Sequence, residues 1–478
     1  MASVSRAMFF KATAGLKLTN PVLQAALKKA QPLFTAKRRK GMASLAADGL
    51  DFETTRAAAA AIRQRVLDDL EHWLKTFEQK ALATGAEVLW ARDGAEVSRL
   101  VVELAQRHGV RTVTKSKSML SEEADLNAAL SAAGIRPVET DLGEYIVQLA
   151  KEPPSHIIAP AVHKTIGEVD SLFAEAHGRP PQSRTSADIP LLAKEARQVL
   201  RAQFLAADMG ISGANFLIAE TGSAALVTNE GNGRMVTTLP RIHVVVTGIE
   251  KIVPTLADFA TLMRLLPRSA TGQDISNYVS LLTGVRREGD DEGPEKTVFI
   301  LVDNGRANLL GGPFEAMLRC IRCGACMNHC PVYFALGGHA YGWVYPGPMG
   351  SVLTPLFTGI EQALDLPHAS TGCNQCGSVC PVGIPLPDLM HGLREVQNAR
   401  GLVAPGERRA LAVWGWMAAR PRWYRWMTRL AARYLSWLAG DAQRIEVFGL
   451  LPEWTAGRDL PVRSRKTFQE QYAARKRD

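Results

Sequence analysis

No uninterrupted apolar run in this chain approaches the ~18–20 residues that a bilayer-spanning helix needs, so no helical membrane span is expected. The start, MASVSRAMFFKATAGLKL, has no long apolar stretch and no small-residue cleavage site. No secretory signal is expected there, although an acid-free, Lys/Arg-rich start also suits an organelle transit peptide. Acid is absent from residues 1–40, which hold nine Lys/Arg. Cysteine is absent from 1–319 and from 381–478. Walker A and HExxH motifs are missing, and Gly231-x-Gly233 in TNEGNGRM lacks the third glycine of a dinucleotide fingerprint, with no obvious helix after it. A tight turn is the expected reading of that stretch. The residues therefore show no flavin, nicotinamide or nucleotide site.

Hydrophobic residues make up 46% and charged residues 22% of the 478, which excludes a disordered chain, and the length implies two or three domains. Charge is unevenly placed. Residues 401–478 carry fifteen Lys/Arg against seven Asp/Glu, which leaves a net −8 for residues 41–400 out of +9 overall. Two basic ends flank an acidic body, open to an acidic protein partner or an anionic membrane face. The C-terminal stretch interleaves Trp414, Trp416, Trp423, Trp426, Trp437 and Trp454 with Arg420, Arg422, Arg425, Arg429 and Arg433. Around Pro421 this reads as two amphipathic helices suited to a partner or to folding back on the cysteine region, with peripheral membrane contact second and nucleic acid least favoured.

All seven cysteines fall in two runs, Cys320-x2-Cys323-x2-Cys326-x3-Cys330-Pro331 and Cys373-x2-Cys376-x3-Cys380-Pro381. The first is the full bacterial-type [4Fe–4S] run, in which the fourth cysteine ligates the other cluster of a pair. Cluster one is then expected on Cys320, Cys323, Cys326 and Cys380, and cluster two on Cys330, Cys373 and Cys376. The second set is one cysteine short, because Ser370 stands three residues before Cys373. A [3Fe–4S] centre, a [4Fe–4S] centre with an open iron, and ligation by Ser370 or His368 all remain open. Zinc knuckles fit this spacing poorly, and disulfides need an oxidising compartment. The 42 residues between Cys330 and Cys373 are too many for a compact hairpin-linked ferredoxin. Helical patterns at 314–318 and 387–396 point instead to an α-helical ferredoxin domain, with GGHAYGWVYPGPMGS as an ordered loop over the clusters or toward a partner.

Elsewhere, residues 52–83 read as helical, and strand and helix patterns then alternate. Strand-like runs fall at 86–90, 111–114, 156–159, 214–218, 224–228, 242–247 and 297–303. Helical runs fall at 96–107, 124–132, 165–175, 188–208 and near 255–265, with an exposed loop at 286–296. This is an open α/β domain over 52–305. Within it, Glu220-Thr221-Gly222-Ser223 reads as a turn between strands, and His156, His163 and Lys164 are low-grade candidates for a cleft.

Six segments together resemble the lactate utilization protein B family: VTKSKSMLSEE (113–123), ETDLGEYIVQL (139–149), EPPSHIIAPAVHK (152–164), GANFLIAETGSAALVTNEGNGR (213–234), CIRCGACMNHCPVY (320–333) and CNQCGSVCPVGIPL (373–386). PEWTAGRDLP (452–461) and KTFQEQY (466–472) are similar to that family's C-terminal part. The resemblance implies an α/β LUD domain related to the ribose-5-phosphate isomerase/CoA-transferase group. It also implies the boundaries 1–51 for a basic docking arm, 52–305 for the LUD domain, 306–400 for the helical ferredoxin domain and 401–478 for the Trp/Arg-rich region. It further implies an electron carrier in oxidation of L-lactate to pyruvate, cytoplasmic or peripheral at the inner membrane face. Its implied partners are a cysteine-rich-domain subunit, a smaller LUD-domain subunit and an unidentified electron acceptor. Ser370 departs from a full eight-cysteine pattern. That departure motivates a rival, a hydro-lyase whose open iron acts as a Lewis acid; a purely structural role for the clusters is a third reading.

Overall fold

The computed structural model describes residues 5–178, 188–449, 455, 458–462 and 464–475. The chain forms two compact units, 1–396 and 397–478. The first is built on ten strands: β1 (Glu87–Ala91), β2 (Thr112–Lys115), β3 (Arg136–Glu139), β4 (Met209–Ser212), β5 (Phe216–Ile218), β6 (Ser223–Thr228), β7 (Ile242–Gly248), β8 (Ile252–Val253), β9 (Tyr278–Leu282) and β10 (Lys296–Val302). Six make a sheet in the order β1-β10-β7-β4-β2-β3, with every pairing parallel.

The sequences of β7 (IHVVVTG) and β10 (KTVFILV) dictate their central place. A strand covered on both faces reads as a continuous apolar run, and β7 is buried throughout. Alternate residues serve opposite layers. Val244, Val246 and Ile300 pack with Val97, Val101 and Leu104 of the helix Gly94–Arg107. Val245, Phe299 and Leu301 pack with Leu74, Phe77 and Ala81 of the helix Leu70–Ala83, where the Phe77 and Phe299 rings meet edge-on at 5.2 Å. A second, four-stranded sheet runs β8-β5-β6-β9. Gly222 closes the β5–β6 hairpin at φ +65°, and a Cβ there would lie 2.4 Å from Ala81 N, so the expected turn at 220–223 is what forms.

Strand β2 is followed by β3 on one side, whereas β4 is followed by β7 on the other. The chain therefore changes winding direction between the neighbours β2 and β4. In open parallel sheets, the crevice beyond the carboxyl ends at such a point is where ligands bind.

Three expectations need correction. Residues 156–159 form no strand, because His156 Nδ1 accepts the backbone N–H groups of Ile158 and Ala159 at 3.0 and 3.1 Å and bends the chain between Pro154 and Pro160. A helix, Asn232–Thr238, does follow Gly231. The segment 1–51 is no free arm. Asn20 caps and Pro21 starts a helix, Pro21–Ala47, whose Leu23, Leu27 and Leu45 are buried. Gln24 donates to the Ala335 carbonyl at 2.8 Å, and Arg38 donates to that of Val379 at 3.1 Å. Leu23, Leu27 and Leu45 face inward and most of its cations outward, which the composition alone concealed.

In the second unit the helices Pro405–Ala418 and Pro421–Ala439 form as expected on either side of residue 420. Arg420 lies over the Trp416 ring at 4.2 Å, and Trp416, Trp423 and Trp426 form a chain of ring contacts near 6 Å. Trp454 and most of 452–457 lie outside the described residues. No helix among the described residues is long and apolar enough to cross a membrane.

His243, in the middle of β7, is buried beside Ser212 Oγ at 2.8 Å, and burial brings its imidazole down to about 4. The native state holds it neutral while the unfolded chain protonates near 6.5, so its contribution is present above pH 6.5 and is lost toward pH 4. About 2 kcal/mol should go between pH 7 and pH 5. Denaturant titrations at both pH values should show His243→Gln losing less by that amount.

Candidate iron–sulfur centres and the adjoining cavity

The cysteine region packs over the carboxyl ends of the six-stranded sheet. A buried charge network fixes it there. Arg306, after β10, bonds Glu123 and Glu250 at 2.7 Å each. Tyr345 of the cysteine region donates its hydroxyl to Glu123. Arg322, between Cys320 and Cys323, lies 4.6 Å over the Tyr345 ring and 3.7 Å from Glu250. Burial would raise the Glu250 carboxyl, but Arg306, Lys251 and Arg322 outweigh it and bring it down to about 2.

Short turns carry the cysteines. Cys330 caps the helix Pro331–Leu336, and the N–H groups of Arg322, Tyr333 and Ile384 point at the sulfurs of Cys320, Cys330 and Cys380 at 3.4, 3.5 and 3.3 Å. The stretch expected as an ordered loop is a loop only in part. It turns through Gly338–Tyr341 and then starts a helix, Gly347–Thr358, which sets Met349 Sδ 3.6 Å from Cys320 Sγ.

Electrostatic proximity sorts the thiols. Cys323 is close to Cys380 and Cys320, and Cys326 is close to Cys320, Cys323 and Cys380, then to Cys376. Cys330 is close to Cys373, and Cys376 to both of these. Burial pushes Cys323 and Cys376 up to about 12, so as bare thiols they stay protonated. All seven are unbridged. A cluster of buried, mutually repelling sulfur ligands with N–H donors aimed at them fits iron–sulfur centres. The two groups differ in surroundings. Arg38, Arg56 and Arg319 neighbour the first group through Cys380, and Arg63, Lys251 and Arg322 through Cys320. The strongest influences on Cys330, Cys373 and Cys376 include no cation, and Cys373 is exposed.

Ser370 Oγ accepts the Gly372 N–H at 3.1 Å, and His368 is exposed at the end of the turn Leu366–His368. His156, buried and lowered to about 3 by desolvation, bonds Asn328 at 2.9 Å and joins the sheet domain to the cysteine run as a structural group. His163 and Lys164 both bond Glu152, at 2.8 and 2.6 Å. His339 brings a further ligand atom within 4.8 Å of Glu152 and His163.

Sequence reasoning missed the cavity. About 400 Å³ opens at the β2/β4 switch point, walled by Ser116 and Lys117 beyond β2, Asn215 beyond β4, Thr247 at the end of β7, and Arg322 and Cys323 of the first cysteine group. Segment 228–230, within TNEGNGRM, lines it too. No spacing rule links these residues; the only sequence signal was that stretches 113–123 and 213–234 both belong to the family pattern.

A parallel sheet whose strand ends face two thiol groups defines a two-part iron–sulfur protein. Two family models match its halves: the LUD domain over residues 74–302 and the 4Fe-4S dicluster domain over 316–384. Lactate utilization protein B of Lysinibacillus sphaericus is 40% identical over 95% of this chain and 94% of its own length, and that of Bacillus subtilis 38% over 98% and 96%. The "Uncharacterized electron transport protein YkgF" of Escherichia coli K12 is 40% identical over 97% and 96%. The chain belongs to the lactate utilization protein B family.

Cys373 is exposed, and bonds from Thr371 and the Gln375 N–H hold its thiol below the ordinary value. In iron-stripped protein, iodoacetamide should therefore alkylate Cys373 at least about tenfold faster than Cys323 or Cys326, as read by peptide mass mapping.

Proposed function

We propose that this chain is the iron–sulfur electron-transfer subunit of an L-lactate-oxidising system. The observation that carries the reading is the sorting of the seven cysteines into two neighbouring groups within a chain of this family. Cys320, Cys323, Cys326 and Cys380 hold a [4Fe–4S] cluster, and Cys330, Cys373 and Cys376 hold a second, either [4Fe–4S] or [3Fe–4S]. When bound, such clusters carry one electron each. The chain's own residues set the conditions: five arginines offset the thiolate charge of the first group, N–H groups bond its sulfurs, and Met349 and Tyr345 help to exclude water. Exposure at Cys373 gives the second group a face toward a partner.

The expected partners are a cysteine-rich-domain subunit and a smaller LUD-domain subunit, with the exposed Trp/Arg helices of residues 405–439 as the docking surface. Kinship of the LUD sheet with the ribose-5-phosphate isomerase/CoA-transferase group belongs to the same reading. One observation favours the hydro-lyase rival: the three-cysteine group also holds the exposed cysteine, Cys373.

Anaerobic iron analysis and EPR test the reading. Cys373→Ser should lower iron from about eight (or seven) to about four per chain and remove one reduced-state signal while keeping the other. L-Lactate should reduce the clusters only with the partner subunits present. Loss of both signals in Cys373→Ser, or a substrate-induced spectral change without reduction, would count against the relay.

A further inference from the structure

The cavity at the strand switch point gathers an unusual set of unsatisfied groups. Ser116 Oγ, Lys117 Nζ, Thr247 Oγ1, Glu250 Oε1 and Arg322 Nε are all buried, all without a hydrogen-bond partner, and all on residues that wall this one space. Buried polar atoms are nearly always paired, and leaving one unpaired costs roughly 1–3 kcal/mol. Several in one cavity mark a place built for a polar guest.

The set is rich in donors. Lys117 has Glu144 at 3.6 Å, beyond hydrogen-bond range, with Glu230 also in its neighbourhood. Burial pushes the Glu144 carboxyl up to about 8, so at neutral pH it is mostly protonated and does not cancel the Lys117 charge. Lys251 also lines the space, but burial and the neighbouring Arg322 bring its amine down to about 7. The acids on the wall are mostly engaged elsewhere: Glu250 Oε2 by Arg306, with Oε1 facing Arg322 at 3.7 Å, Asp141 by the N–H groups of Gly143 and Glu144, and Glu230 by that of Leu142. Lys117 and the unpartnered hydroxyls of Ser116 and Thr247 therefore face the space, which favours an oxyanion.

An inorganic ion would leave most of the volume empty. Met119, Ile157, Ile158, Leu226, Leu266 and Ile321 supply apolar wall, and about 400 Å³ lies within the range of small-molecule sites. The wall also includes Cys323.

We infer that this cavity is a binding site for a small organic anion, its carboxylate or phosphate taken by Lys117 with Ser116 and Thr247, adjoining the first cysteine group. The inference does not rest on the relay reading, because anion binding requires no electron transfer. It also gives the LUD sheet a role of its own beside the cysteine region.

Calorimetry on anaerobically purified, iron-replete full-length protein tests it, with pyruvate, L-lactate, glycerol 3-phosphate and inorganic phosphate as probes. EPR of the dithionite-reduced protein is recorded at each end point. At least one organic anion should saturate a single site per chain below about 1 mM and shift one cluster signal. Preference between the carboxylates and glycerol 3-phosphate then tells which acidic group the site takes. Lys117→Met should weaken binding at least about tenfold with iron unchanged, and Lys117→Arg should recover part of it. If Lys117→Met loses iron, Thr247→Val serves in its place, with weaker binding expected. Silence from all four probes to about 10 mM, equal binding of inorganic phosphate, or unchanged binding in both variants would overturn the proposal.

Discussion

Arg306 lies fully inside the protein between two carboxylates, and the arrangement of the rest of the first unit depends on it. Glu123 follows β2, Glu250 follows β7 and Arg306 follows β10, so one guanidinium ties together three strand ends that the sheet already brings close. Burying three charges is unfavourable unless every remaining donor and acceptor finds a partner. Asn304 and Tyr345 complete Glu123, and Arg322 stands beside Glu250. Two of these helpers, Tyr345 and Arg322, belong to the cysteine region. The electrostatic balance of the sheet's edge is thus complete only when that region is docked on it, and docking is what puts Cys323 on the cavity wall.

The two cysteine groups are built to different specifications. The first is enclosed, ringed by cations and crossed by the apolar side chain of Met349. The second ends in an exposed cysteine and has no comparable cationic ring among its strongest neighbours. Charge, hydrogen bonding to sulfur and solvent exposure are the levers that set a cluster's potential. Two groups of thiols interleaved in sequence are therefore held in unlike surroundings, one beside the cavity through Cys323 and one with the exposed Cys373.

The two cysteine runs were legible in the sequence because close spacing is a local matter, whereas the meeting of Cys380 with the first run and of Cys330 with the second depends on the fold. The long apolar strands β7 and β10 were legible for a similar reason, since burial on both faces leaves a continuous pattern. What escaped was non-local or masked. Strand β3 (RPVE) holds a proline and β4 (MGIS) a glycine; Gly210 is required because a Cβ there would lie 1.9 Å from the Val236 carbonyl oxygen. The strand expected at 156–159 gave way to a side chain that captures its own backbone. The cavity could not be read at all, since Lys117, Thr247 and Arg322 are joined only by the winding of the sheet and the docking of the cysteine region.

The helix Pro21–Ala47 is made early and anchored late. Its contacts reach forward 311 residues from Gln24 to Ala335 and 341 residues from Arg38 to Val379. At roughly 5–20 residues per second of synthesis, its apolar stripe waits on the order of 20–70 seconds for the surface it covers. Its C-terminal half can seat earlier, where Lys37 and Gly41 pack against Arg268 and Gly272, while the cysteines near Arg38 have not yet left the ribosome. Iron delivery and the final seating of this helix thus fall in the same window, once residues 320–380 have been made, and whatever shelters the one has time to wait for the other.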